Sequence, residues 1–212
     1  MGWLIDTSLW IAVERGMLAA RMRLCVRGAA VLRCRMVRTL CSVVLIAVAS
    51  GHVTALTRDL TYSAPPGWKV ESTSSSMRVA QFTLPRAAGD AADAELVIYY
   101  FGGSGGSVEA NIDRWLGQMQ QPDGRPSKAV ATRETRTANG LSIALVDVSG
   151  TYVAEVTPGS VKRHNNPGYR LRAAVVETPG GPYFIKLTGP AKTVAVQTQA
   201  FDGFVSSLKY TP

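Results

Sequence analysis

Strict alternation marks the first clear strand of this chain. In MRVAQFTLP, residues 77–85, Ala80, Phe82 and Leu84 share one side while Gln81 and Thr83 take the other, and Pro85 stops the run. AELVIYYF (94–101) is apolar without alternation, which predicts a central strand covered on both faces. After a glycine-rich turn the period changes. Val108, Ile112, Trp115, Leu116 and Met119 fall on one side of a helix whose other sides carry Glu109, Asn111, Asp113, Arg114 and Gln118. QPDGRP (121–126) ends that helix.

Residues 129–153 read as a hairpin. Asn139-Gly140 supplies the two positive φ angles of a type I′ turn. Its first arm is polar, an edge strand guarded by Arg133, Glu134 and Arg136, and its second is apolar on both faces. A long loop (154–168) precedes two further strands, YRLRAAVVE (169–177) and PYFIKLTG (182–189), joined by TPGG. A last helix begins near Pro190 and presents Val194, Phe201, Phe204, Val205 and Leu208 on one face. With an opening strand anchored by Trp68 in SAPPGWKVES, the expected order is β-β-β-α-β-β-β-β-α. That predicts an α+β domain: a largely antiparallel β-sheet covered by two helices.

PPGWKV, ELVIYYF, the hairpin at Asn139-Gly140 and PGGPYFIKLTGPAKTVAVQTQAFDGFVSSLKY resemble secreted bacterial proteins of the Mog1/PsbP-like α/β/α sandwich class, over about residues 64–210. The resemblance implies an α/β/α sandwich and a mostly non-enzymatic role, as in photosystem assembly subunits, a nuclear-transport GTPase partner and exported proteins. Its motifs are structural, so it carries over no functional residue.

Upstream of the domain lies an address. RCRMVRTLCSVVLIAVASGHVTA (33–55) has a positive end at Arg33, Arg35 and Arg38, a short apolar core from Leu40 to Ala49, and the A-x-A site Ala47-Val48-Ala49, with Val53-Thr54-Ala55 as an alternative. The chain of 212 residues is therefore expected to divide into 1–35, a spurious or disordered leader; 36–55, a signal peptide; 56–63, a short linker; and 64–210, a single α+β domain. The expected location is periplasmic or extracellular, or membrane-anchored if the signal stays uncleaved.

Charge and cysteine content sharpen this division. The net charge is +8, but residues 1–55 contribute +5 from seven arginines against Asp6 and Glu14, leaving +3 for 56–212. No dense basic stripe remains, which argues against a nucleic-acid partner. Cys25, Cys34 and Cys41 all lie before the domain, so its chemistry is expected to use neither thiol nor disulfide.

The glycines at 102, 103, 105 and 106 match neither G-x-G-x-x-G nor a P-loop, and Glu109 and Asp113 follow in the first turns of the helix. They read as a flexible joint, with Ser107 as helix N-cap. His164 is the one histidine in the domain, too few for a His-rich metal site or a hydrolase triad with a nucleophile elbow. Asp147, inside IALVDVSG, would be costly if buried alone; Lys186, inside YFIKLTG, is a candidate partner, though both at strand ends or on a wet face is the simpler reading. No catalytic residue, cofactor site or metal site is assigned. The candidate partner-binding loop comprises Tyr152, Lys162, Arg163, His164 and Tyr169. The function expected is an exported, non-catalytic domain that binds or stabilises another cell-envelope component, either an envelope protein or a small ligand, without stable membrane insertion after signal cleavage. The alternative is a small extracytoplasmic enzyme with a site near Asp147, the glycine turn and the 150–169 loop.

Overall fold

The computed structural model describes residues 59–211 except 74. The leader and signal-peptide segments named above lie outside the described residues. The fold is a mainly antiparallel α+β sandwich. Ten strands run β1 (Asp59–Thr61), β2 (Lys69–Glu71), β3 (Arg78–Leu84), β4 (Ala94–Tyr100), β5 (Met119–Gln120), β6 (Thr132–Ala138), β7 (Leu141–Tyr152), β8 (Asn166–Glu177), β9 (Tyr183–Pro190) and β10 (Lys209–Thr211). The helices are α1 (Val108–Leu116), α2 (Ser127–Val130), α3 (Ala191–Val196) and α4 (Thr198–Ser207).

The main sheet has the order β2-β3-β4-β9-β8-β7-β5, with β6 also paired to β7. β5 and β6 share that strand because β7 is twelve residues long: β6 takes its first half and β5 its end. The turn between β6 and β7 has φ 51° at Asn139 and 79° at Gly140, as a type I′ hairpin requires. Asn139 also donates from its side chain to the carbonyls of Ser206 and Leu208, so the turn caps the end of α4.

Each face of the sheet has its own core. On one, Phe82, Leu84, Leu96, Ile98, Ile143, Ile185 and Leu187 pack against Val194, Phe201, Phe204, Val205 and Leu208 of the C-terminal helices. On the other, Val146, Val148, Leu171, Ala173, Val175 and Phe184 pack against Ile112, Trp115 and Leu116 of α1. Alternation along β8 feeds both: Leu171, Ala173 and Val175 point to α1, Ala174 and Val176 to α4.

Several details depart from the sequence expectation. β1 and β10 form an unforeseen two-stranded ribbon. Both are three residues of ordinary composition, and pairing of such short segments is decided by their neighbours. Met119 leaves the helix and pairs with Tyr152. A single turn of helix, α2, follows Pro126. β8 begins at Asn166, three residues before the apolar run. The C-terminal helix is two segments meeting at Gln197, although its expected apolar face is buried as a unit.

Candidate functional site

The glycine turn joins β4 to α1, and it is packed as well as turned. A Cβ added at Gly105 would stand 2.4 Å from the Phe184 ring, so this close approach needs glycine. Ser107 accepts from the Ala110 N–H and caps α1. Asn111, buried one turn in, donates to the carbonyls of Gly105 and Ser107 and accepts from Arg114. The turn is therefore fixed by side-chain hydrogen bonds rather than being a flexible joint, and through Asn111 it sets the position of Arg114.

With nine residues, α1 extends only about 14 Å. It cannot cover a seven-strand width of sheet, which spans about 30 Å. Beyond the Trp115 and Phe184 packing, the α1 face turns polar and aromatic. β4 presents exposed Glu95 and half-buried Tyr99; β9 presents half-buried Lys186 and Thr188; β7 ends in Tyr152, and β8 carries Tyr169 near its start.

Lys186 occupies the centre. Its ammonium donates to Gln118 Oε1 at 2.6 Å and to Tyr152 Oη at 3.1 Å, and it lies 5.1 Å from the Tyr152 ring centroid. Among the described residues it forms no ion pair. Burial pushes its pKa down to about 8; Glu95 pulls it back up, and Arg114 and Arg78 push it further down. Tyr152 is shifted the other way, to about 12, chiefly because burial disfavours its phenolate. Tyr169 stacks on Tyr152 with ring centroids 6.2 Å apart, and His164 packs on the same ring at 5.3 Å. Tyr99 stacks on Phe101 and lies under the guanidinium of Arg78, 5.6 Å from its ring centroid. Burial also raises the Tyr99 pKa.

Glu95 is already engaged. It accepts from Gln81 at 2.7 Å, and Arg78 approaches it at 3.7 Å. Arg114 is exposed at the rim and, among the described residues, bonds only to the neutral side chain of Asn111. Gln118 follows the α1 cap Gly117 and reaches Lys186, and the Arg114 charge also acts on Lys186. Two cations, Lys186 and Arg114, thus share a surface without a carboxylate partner.

Of the five residues in the expected partner-binding loop, Tyr152, His164 and Tyr169 come together here. Arg163 does not join them: it approaches Glu155 at 3.5 Å, across the bridge that narrows the loop. Lys162 is exposed on the same loop. The loop apex carries fully exposed Val161.

The candidate Asp147–Lys186 pairing, which the sequence ranks second to strand ends or a wet face, is not formed. Asp147 follows Ile143 and Leu145 in alternation and faces α4, whereas Lys186 follows Phe184 and faces α1. Asp147 accepts a bidentate pair from Arg170 at 2.7 and 2.6 Å, and Arg172 lies 3.6 Å away. Arg172 donates to Asp202 at 2.7 Å, and Asp202 also accepts from Arg136 at 3.1 Å. The enzyme site imagined from Asp147, the tyrosines and the glycine turn is therefore split across the two faces of the sheet.

Two grooves lie elsewhere. One, of about 640 Å³, runs under the end of α1 past Asp113, Arg125 and Lys128. Its charges are paired internally, Lys128 with Asp113 at 2.8 Å and Arg125 with Asp123 at 2.6 Å. The other, of about 520 Å³, is lined by Pro65, Pro66, Val196 and Phe204. Neither includes Lys186.

No protein-family model and no curated protein matches this chain. Solved structures of similar fold include a Pseudomonas aeruginosa protein of unknown function, 13% identical over 68% of this chain and 98% of that one, with a TM-score of 0.44. LpqN of Mycobacterium tuberculosis, described as involved in cell envelope biogenesis, is 13% identical over 76% of this chain and 88% of its own, with a TM-score of 0.44. PsbP of the cyanobacterium Synechocystis is 14% identical over 75% and 95%, with a TM-score of 0.40. PsbP belongs to the class named from the sequence motifs.

Proposed function

We propose that this chain is an exported, non-catalytic binding module that engages another component of the cell envelope through the open half of the α1 face. The observation that supports this reading most directly is Lys186. A lysine on an inner strand, held by neutral partners beside three tyrosines, costs folding stability unless something outside the domain uses it. The signal-like segment at 36–55 supports export. The stacked pair Tyr152–Tyr169 brings the expected binding loop onto the same surface. The division 1–35, 36–55, 56–63 and 64–210 is part of this proposal.

The test uses the full-length chain in its native host. A photo-crosslinking residue at position 169 is expected to trap an envelope component, and the chain should fractionate outside the cytoplasm. Tyr152→Ala should weaken that crosslink while a far-side control, Lys192→Ala, leaves it intact. Cytoplasmic retention, or equal crosslinking in both variants, would refute the reading.

A further inference from the structure

We infer that the open α1 face docks an acidic segment of a partner protein, with a partner carboxylate received between Lys186 and Arg114 and flanked by Tyr99, Tyr152 and Tyr169. This rests on the binding face proposed above and names its ligand.

Charge complementarity carries the inference. Other cations on and around this face are neutralised: Arg78 by Glu95, and Arg133 and Lys128 by Glu109 and Asp113. Lys186 and Arg114 have only amide and phenol partners among the described residues. A carboxylate placed between them would supply the missing counter-charge, and charge-assisted bonds of this kind are about twice as strong as neutral ones. Shape selects the kind of ligand. Small-molecule sites are concave, and neither the 640 Å³ groove nor the 520 Å³ groove is lined by Lys186 or Arg114. An open sheet surface set with tyrosines and arginine has instead the composition of a protein-interface hot spot. Glu95, held by Gln81 and Arg78, gives the face a negative edge that would orient the incoming acid toward Lys186.

Lys186 also gives the interaction a pH signature. The titratable and charged groups around it are Tyr152 from β7, Tyr169 from β8, Glu95 and Tyr99 from β4, Arg78 from β3, Arg114 from α1 and His164 from the loop. As pH rises through about 8 the ammonium is lost, and acid binding should weaken with it.

The test titrates the full chain with a hexaglutamate peptide, a hexaglutamine peptide and an oligoglucuronate, read by calorimetry and by amide shifts. Hexaglutamate should bind at low salt with an affinity near the millimolar range, at least about tenfold tighter than hexaglutamine. Lys186→Met and Arg114→Gln should each lower that affinity about tenfold. Arg114 is exposed, so its variant keeps the measurement interpretable should Lys186→Met disturb folding. Affinity should fall between pH 7 and 9 in the parent chain and in His164→Gln, but not in Lys186→Met. Binding of hexaglutamate that both variants leave unchanged would overturn the inference, as would oligoglucuronate binding as tightly as the peptide. If neither probe binds while the position-169 crosslink still forms, the inference falls and the proposed binding face stands; if the crosslink is also absent, both fall.

Discussion

The two faces of the sheet treat charge in opposite ways. On the α4 face, Arg172 is nine-tenths buried, yet Asp147 and Asp202 flank it, and the rim is closed by Arg170, Arg136 and Glu134. On the α1 face, Lys186 is half-buried and, among the described residues, held by the neutral groups of Gln118 and Tyr152. Both cations sit on neighbouring inner strands, β8 and β9. The first is neutralised within the domain and fastens α4 to the sheet. The second has no ion-pair partner among the described residues, which is why the α1 face is the one proposed for a partner.

The sharpest way to break this contrast is to attack the sealed face. Phe204→Ala removes a ring packed among Tyr62, Trp68 and Phe82 and should cost about 3–5 kcal/mol in urea unfolding. A loss below about 1 kcal/mol would mean that this face is not the main core. Next, Asp202→Asn leaves Arg172 with one carboxylate, at 3.6 Å, and should cost about 2–3 kcal/mol. The corresponding change on the open face should have the opposite sign. Lowering a lysine pKa from 10.5 to about 8 disfavours its charge by roughly 3 kcal/mol, and the two hydrogen bonds lost return about 1 kcal/mol each. Lys186→Met should therefore stabilise the domain by about 1 kcal/mol at neutral pH, and a loss of similar size would make Lys186 a structural residue.

The pH dependence follows the same sign. Between about pH 8 and 10.5 the unfolded chain holds the proton that the folded Lys186 has released, so this group makes stability rise with pH across that window. Its penalty is fully present below pH 8. Denaturant midpoints measured across that range should show the rise in the parent chain and not in Lys186→Met. The smallest effect is expected from Arg163→Gln. Its pair with Glu155 is solvent-exposed at 3.5 Å, so the change should stay within about 0.5 kcal/mol in the same assay.

Most of the architecture was legible because long segments repeat one period. The α4 face was named residue by residue from Val194, Phe201, Phe204, Val205 and Leu208, and the hairpin at Asn139-Gly140 from two residues. AELVIYYF misled in an instructive way. Its lack of alternation implied cover on both sides, yet Glu95 is exposed and Tyr99 only half-covered, because tyrosine satisfies an apolar pattern while lining a wet surface. The site was harder to read. Tyr152, His164 and Tyr169 were singled out as one loop, but Lys186, Arg114 and Gln118 come from β9, α1 and the residue after its cap. Only tertiary pairing shows that Lys186 faces α1 and Asp147 faces α4. The available signal was a lone lysine inside YFIKLTG, two positions from Phe184 and two from Thr188, on the side that alternation would set against Ile185 and Leu187.

The ribbon of β1 and β10 carries a mechanical consequence. Asp59 lies opposite Thr211 and Thr61 opposite Lys209, so the start of β1 and the end of β10 lie at the same end of one short ladder. Tension applied between those two points would peel the ladder apart one rung at a time before any load reached the larger sheet. Pulling from Asp59 and Thr211 should therefore give a small early extension step ahead of the main rupture.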